Sequence, residues 1–291
     1  MVMKVSDLSL QTRRSLMEKE DAQTAGFLAR HLLAHYSGKT TESLLGGMDQ
    51  YVGAGVCEKV AAGVARLLQD EPLAYVLGEW EFYGLTLHVN RNVLIPRDDT
   101  VAVAALAINQ GIFLPAAPRI LDLCTGSGCI GLAVASRIKD ARVTLADISR
   151  DALAVAKSNI VRHKLSARVS TIQADALKPA PTVLGKFDMI ISNPPYITGQ
   201  EMTELDRSVA DFEPHLALFG GTDGLDFYRS IAVNYQNALK PGGFLALEFG
   251  DDQGDDVCRI LEENGYTILE RSRDYNDRER AVLAQYGRKE A

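Results

Sequence analysis

From residue 119 onward the sequence alternates between short β-rich runs and helical stretches, and this constrains the fold more than any other feature. The runs RILDLC (119–124), RVTLADI (142–148), RVSTIQAD (168–175), FDMIISN (187–193) and GFLALEFG (243–250) have strand length and strand composition. CIGLAVASRIKD (129–140) and RDALAVAKSNIVRHK (150–164) carry helical periodicity between them. Such alternation specifies parallel strands joined by crossovers, hence a doubly wound α/β sheet. Two further runs, YTILERSR (266–273) and RAVLAQYG (280–287), are separated by too few residues for a parallel crossover. They are expected to be antiparallel neighbours.

The sequence before this alternation reads as helical. DAQTAGFLARHLLAHY (21–36) puts Ala25, Leu28, Leu32 and His35 on one stripe, with Gly38 as a stop. TTESLL (40–45) opens on a threonine cap candidate, and VCEKVAAGVARLLQD (56–70) is amphipathic. EWEFYGLTLHVNRNVLIPR (79–97) is instead aromatic and β-rich, with Gly84 and Asn90–Asn92 as turn signals. The expected organisation is a helical bundle over 1–75, a β-hairpin linker over 76–97, and an α/β domain over 98–291. Trp80, Phe82 and Tyr83 are expected to be hairpin core.

Hydrophobic residues make up 46% of the 291, enough for a packed core. No apolar run reaches membrane-span length, and the charged N-terminus lacks the apolar stretch of a signal peptide, so a cytoplasmic chain with no membrane partner is expected. The four cysteines form no CxxC pair and the five histidines are scattered, which argues against a disulfide framework or metal site. A net charge of −7 argues against stable nucleic-acid binding by the surface as a whole.

DLCTGSGCIG (122–131) joins the first of the alternating strands to a helix. Gly126 and Gly128 allow a sharp turn and close backbone approach to a ligand. Asp147 ends the next strand, placed to accept from the two hydroxyls of a ribose. A tight strand-to-helix turn needs no ligand, but loop, spacing and strand-end acid together point to a nucleoside. G-S-G-C-I-G satisfies the bare dinucleotide pattern, yet no hydride-transfer site accompanies it. D-x-x-T-G-S-G instead resembles the S-adenosylmethionine loop of Rossmann-like methyltransferases. In that class Asp175 would meet the adenine amino group, its alternative being a helix N-cap. Asp122, amid an apolar strand, either orients the loop or is a structural carboxylate. Cys124 and Cys129 are given no redox role.

The fourth strand ends in ISNPPYI (191–197). Pro194 and Pro195 hold the backbone extended and donate no hydrogen bond. The Asn193 side-chain oxygen and the Pro194 carbonyl are then two fixed acceptors for one –NH₂ group, as methylation of a planar nitrogen requires. Tyr196 offers an aromatic face for stacking or for a sulfonium. The plain alternative is a turn with Tyr196 as packing.

These residues resemble a known family. PLAYVLGEWEFYGLTLHVNRNVLIPR (72–97), SNPPYI (192–197), FEPHLALFGGTDGLDFYR (212–229) and RDYNDRERAVLAQY (273–286) look like the peptide-chain release factor glutamine methyltransferases, the HemK/PrmC family. The resemblance covers nearly the whole chain. It implies a Rossmann-like class I S-adenosylmethionine-dependent methyltransferase, with a seven-stranded mixed sheet whose last strand is antiparallel, behind a small helical domain that recognises substrate. The implied reaction is protein methylation in translation termination. A methyl group would pass from S-adenosyl-L-methionine, leaving S-adenosyl-L-homocysteine, to the glutamine amide of the Gly-Gly-Gln motif in release factors, by a monomer. The cofactor positions would be Cys124, Thr125, Gly126, Ser127, Gly128, Asp147, Ile148, Asp175, Ala176 and Asn193, and the substrate clamp Asn193, Pro194, Pro195 and Tyr196. A ribosomal-protein glutamine, or adenine or guanine in nucleic acid, remain as alternative substrates. IPRDDTV (95–101) departs from the family's I-P-R-P-E-T-E by lacking the second proline and last acid. The long segment 198–221 is expected either to close over the substrate or to be a surface excursion.

Overall fold

The computed structural model describes residues 2–287. The chain divides into two compact units: residues up to Gly78 together with Arg207–Phe212, and Glu79–Asp206 together with the residues from Glu213 on.

The first unit is built on α1 (Val5–Leu16), α2 (Ala22–Ser37), α3 (Thr41–Leu45), α4 (Ala54–Leu67) and α5 (Leu73–Leu77). Leu8, Leu16, Leu32 and Val60 are buried in it. The helix ends follow local chemistry. Asp21 accepts from the Gln23 and Thr24 amides at 2.7 and 3.0 Å to start α2, and Gly38 ends it at φ +66°. Thr40 Oγ1 accepts from the Ser43 amide at 3.1 Å to start α3. Arg66 clips α4 to α5, donating to the Glu71 carboxylate at 2.7 and 2.9 Å and to the Val76 carbonyl at 3.1 Å. One feature departs from the helical reading: β1 (Met3–Lys4) pairs antiparallel with β2 (Tyr51–Val52). Strands this short have no period to show in sequence.

The second unit opens with the hairpin β3 (Glu79–Phe82) and β4 (Leu85–His88). Its turn residues Tyr83 and Gly84 both have positive φ, +51° and +77°, the geometry whose twist matches that of paired strands. There follow α6 (Val101–Gly111), β5 (Arg119–Leu123), α7 (Cys129–Arg137), β6 (Arg142–Asp147), α8 (Arg150–Arg162), β7 (Val169–Gln173) and β8 (Phe187–Ser192). After the short α9 (Arg207–Ala210), which groups with the first unit, come α10 (Asp226–Asn234), β9 (Leu239–Glu248), α11 (Gly254–Glu263), β10 (Tyr266–Arg273) and β11 (Glu279–Tyr286).

The seven strands lie in the order β10-β11-β9-β8-β5-β6-β7. All are parallel except β11, which runs antiparallel to both β10 and β9. Both expectations from the sequence, the mixed sheet and the antiparallel last strand, are met. Alternate residues of the central strands serve opposite faces. Ile120, Met189 and Ile191 pack with α6, α7 and α8, whereas Leu121, Leu123 and Ile190 pack with α10 and α11. The strand β9 begins four residues before the run read from sequence. Its Pro241-Gly242-Gly243 looks like a turn but lies at a register shift opposite Phe187–Met189, where a bulge absorbs it.

The hairpin is anchored from its C-terminal strand. Asn159 of α8 is fully buried. It accepts from the His88 amide at 2.6 Å and donates to the carbonyls of His88 at 3.0 Å and Ser127 at 2.9 Å. One side chain thus joins hairpin, helix and glycine loop. Asn159→Ala leaves one buried and two part-buried backbone groups without this partner and is expected to cost about 2 kcal/mol, read as a lower urea midpoint at unchanged slope. A loss under about 0.5 kcal/mol would show that the latch is dispensable.

Candidate active site

The chain leaves β5 toward β6 and β7 on one side and returns through β8 on the other. A crevice therefore opens where the carboxyl ends of β5 and β8 meet, at the switch point of the sheet. At the end of β5 the backbone turns through positive φ at Cys124 (+58°), Gly126 (+53°) and Gly128 (+85°). Asp122 organises this loop. Its Oδ2 accepts from the Thr125 hydroxyl at 2.6 Å and from the Gly131 amide at 2.9 Å, while its Oδ1 has no partner. Complete burial pushes the Asp122 carboxyl up to about 7. Gly131 lies so close that an added Cβ would sit 2.3 Å from Leu145, which fixes α7 tightly against β6.

Asp147, at the end of β6, accepts from the Gly126 amide through Oδ2 and from the Ser149 amide through Oδ1, both at 2.9 Å. Burial raises its pKa above the usual carboxylate range. Each oxygen keeps a second lone pair for a further donor. Asp175 follows β7, its Oδ1 accepting from the Leu177 amide at 2.9 Å and its Oδ2 3.4 Å from the Lys178 ammonium. A turn rather than a helix follows Asp175, so the helix-cap alternative falls.

A cavity of about 190 Å³ occupies the crevice. Cys124, Thr125, Gly126, Ser127, Asp147, Ile148, Asp175, Ala176, Asn193 and Pro195 all line it, from four strand ends. Gly128, Pro194 and Tyr196 are outside the lining. Gly128 serves the turn instead, at the start of α7. Pro194 and Tyr196 fall out because side chains alternate along an extended segment, so Asn193 and Pro195 share a face. The Tyr196 ring packs with the core on the α10–α11 side, and burial raises its pKa. Burial likewise raises the Cys124 thiol and pushes Cys129 up to about 12, so neither is a thiolate at neutral pH.

The strand end at Asn193–Tyr196 is braced from three directions. The Asn193 Nδ2 donates to the Thr100 hydroxyl at 3.2 Å. Gln253 Nε2 donates to the Tyr196 carbonyl at 3.0 Å. An added Cβ at Gly220 or Gly224 would fall 2.6 Å or 2.3 Å from the Tyr196 backbone, so only glycine allows that approach. The segment 198–221 is held at its ends, where the Ile197 amide donates to the Leu218 carbonyl at 2.9 Å and the Gly220 amide to the Ile197 carbonyl at 2.8 Å. Glu213 is buried, accepting from the Ile95 amide at 3.0 Å and pairing with Arg97.

Two family models match the chain: the PrmC N-terminal domain over residues 8–78 and the methyltransferase small domain over residues 104–213. The chain is 43% identical over 216 residues to the release factor glutamine methyltransferase of Clostridium acetobutylicum, covering 74% of this chain and 75% of that one. It belongs to the HemK/PrmC family. It is also 35% identical to a bifunctional methyltransferase of Rickettsia typhi, covering 87% of this chain and 52% of that protein, so it spans about half that relative's length. A methyltransferase from Pyrococcus furiosus shares the fold at a TM-score of 0.52 and 19% identity, covering 77% of this chain and 97% of that one. This is the fold of enzymes that in general use S-adenosylmethionine.

In this HemK/PrmC member several residues at the site were not singled out from sequence. Asn92, Val93, Leu94, Pro96 and Arg97 line the cavity, as do Leu216 and Phe227. Glu248 and Thr100 are buried beside Asn193. One signal pointed to Glu248: like Asp122, it is a lone carboxylate in an apolar strand. Among the described residues, no histidine or lysine lines the cavity. Because the raised pKa of Asp122 makes its ionisation costly in the fold, the stability it contributes is full below the ordinary carboxylate range and is lost as pH rises toward 7. Asp122→Asn, isosteric and uncharged, should therefore gain on the wild type by on the order of 2 kcal/mol between about pH 5 and pH 8 in urea unfolding. Parallel stability profiles would contradict a buried charge at this position.

Proposed function

We propose that this chain methylates the side-chain amide nitrogen of the glutamine in the Gly-Gly-Gln motif of peptide-chain release factors, using S-adenosylmethionine. The observation that carries the reading is Asn193: an amide side chain at the carboxyl end of β8, lining the same cavity as Gly126 and Asp147. The family and the name of the Clostridium relative support the substrate.

The residues present fit an adenosyl ligand. The Ser127 hydroxyl is buried with only the Cys129 thiol beside it among the described residues, space is open where Gly126 lacks a Cβ, and Asp147 holds lone pairs in reserve. Asp147 would take the ribose hydroxyls, Asp175 the adenine amino group, and Ile148 and Ala176 the apolar contacts around the base. When bound, S-adenosylmethionine supplies an electrophilic methyl group on a sulfonium sulfur.

The rest of the task falls to the chain. An amide nitrogen is a weak nucleophile because its lone pair is delocalised. The Asn193 Oδ1 and the Pro194 carbonyl accept the two N–H bonds of the target amide and set the plane of its nitrogen, with Pro195 stiffening the turn and Tyr196 held against the core as support. Among the described residues the lining has no histidine or lysine, and the nearby thiols and the Tyr196 phenol stay protonated. Catalysis then rests on orientation and fixed dipoles rather than on a strong base. Asn193→Ala should lower kcat on a release factor by on the order of a hundredfold or more, with S-adenosylmethionine binding by calorimetry nearly unchanged. Full turnover in that variant would sink the clamp.

The helical unit we assign to recognition of the release factor, which implies a cytoplasmic enzyme. Removing residues 1–75 should raise KM for release factor at least about tenfold and leave cofactor affinity within about twofold. Equal losses of both would make the unit structural instead.

A further inference from the structure

We propose that Thr100 and Glu248 are positioning residues that fix which way the Asn193 amide faces, an inference that rests on reading Asn193 as the clamp. An amide side chain fills the same space in two orientations, and only one presents its oxygen to an incoming –NH₂. Something must therefore choose between them.

Thr100 lines the cavity beside Asn193, and Glu248 lies behind the pair, outside the lining. The Asn193 Nδ2 donates to the Thr100 hydroxyl at 3.2 Å, and Thr100 is 2% exposed. Glu248, 1% exposed, ends β9 one residue beyond Leu247, which pairs in register with Ser192 of β8. It meets both Thr100 and Asn193, and its Oε2 has no hydrogen-bond partner among the described residues. The three polar groups thus form a cluster at the cavity floor, in which Glu248 meets both of the other side chains.

The direction of hydrogen bonding within that cluster follows from proton count. An ionised carboxylate only accepts. The single Thr100 proton then goes to Glu248, which leaves the Thr100 oxygen to accept from the Asn193 Nδ2, and the Asn193 Oδ1 faces the cavity. A protonated Glu248 donates to Thr100 instead. Thr100 can then donate to the Asn193 Oδ1, and the amide turns its –NH₂ toward the cavity, where it repels another –NH₂. Burial pushes the Glu248 carboxyl up to about 8, so the switch falls within the working range of pH. Among the charged groups facing Glu248, Arg280 of β11 favours ionisation, and Asp99 of the turn before α6 opposes it. Tyr196, Tyr228 and Cys129 also face it, each held neutral by burial. Arg280 contacts Asp99 at 3.5 Å, which ties the Thr100 turn to β11.

The test records the Asn193 side-chain amide signals of the ¹⁵N-labelled chain, identified by their loss in Asn193→Asp, between about pH 6 and about pH 9.5. In the wild type they should titrate with one midpoint near 8. In Glu248→Gln they should not, and in Thr100→Val the shift should fall well below that of the wild type. On release factor, wild-type kcat should rise along the same limb. Thr100→Val should lower kcat about tenfold with cofactor Kd within about twofold, and Thr100→Ser should restore most of it. Asn193 signals that do not titrate, or that titrate alike in Glu248→Gln, would overturn the relay. So would a Thr100→Val loss that falls equally on Kd and kcat. A wild type that methylates no release factor would defeat the substrate reading alone, since the amide titration decides the relay without turnover.

Discussion

The reversal of strand order at β5 and β8 is the constraint on which the rest of the structure depends. Were the crossovers all on one side, the loop after β5 would be covered by the next helix. Because they diverge, the ends of β5 and β8 share an open crevice. The glycine loop and Asn193 face it together although 65 to 69 residues of sequence separate Gly128 and Cys124 from Asn193. Everything else at the site braces these two strand ends: Asp122 and Asn159 the first, Thr100, Gln253 and the close approach of Gly220 and Gly224 the second.

Bracing of this kind uses buried polar groups, and these are costly unless paired. Asn159 is fully satisfied by three backbone groups and acts as a rigid pin. Asp122 and Glu248 each keep an oxygen without a partner and have pKa values raised by burial. Two such carboxylates within the sheet that carries the cavity are a concentration of stored cost, and functional sites are where such cost is expected. The difference between them is position. Asp122 holds backbone and hydroxyl donors of the loop, whereas Glu248 lies behind the one side chain assigned to the target nitrogen.

The architecture was legible because strand and helix periods are strong over 119–287, and the antiparallel last strand followed from a loop too short for a crossover. The glycine loop, Asp147 and Asn193 were legible because each sits at a strand end, which sequence marks by where an apolar run stops. What sequence hid was contact between distant segments. Glu213 binds Ile95 and Arg97, and Thr100 meets Asn193, across separations that no local pattern encodes. The alternation that turns Pro194 and Tyr196 away from the lining, while Pro195 joins it, is likewise a matter of backbone path. The bulge in β9 was missed because Pro-Gly-Gly satisfies the signal for a turn and for a bulge equally well.

On the proposed reading, two acceptors at the end of β8 select one planar amide nitrogen. The direct measurement is peptide mass mapping after incubation of the whole chain with labelled S-adenosylmethionine and a release factor, a ribosomal protein, DNA and ribosomal RNA in parallel. One methyl group is expected, on the side-chain nitrogen of the glutamine in the release factor's Gly-Gly-Gln segment, and none on nucleic acid. Label on a base, or on a protein side chain other than glutamine, would contradict it.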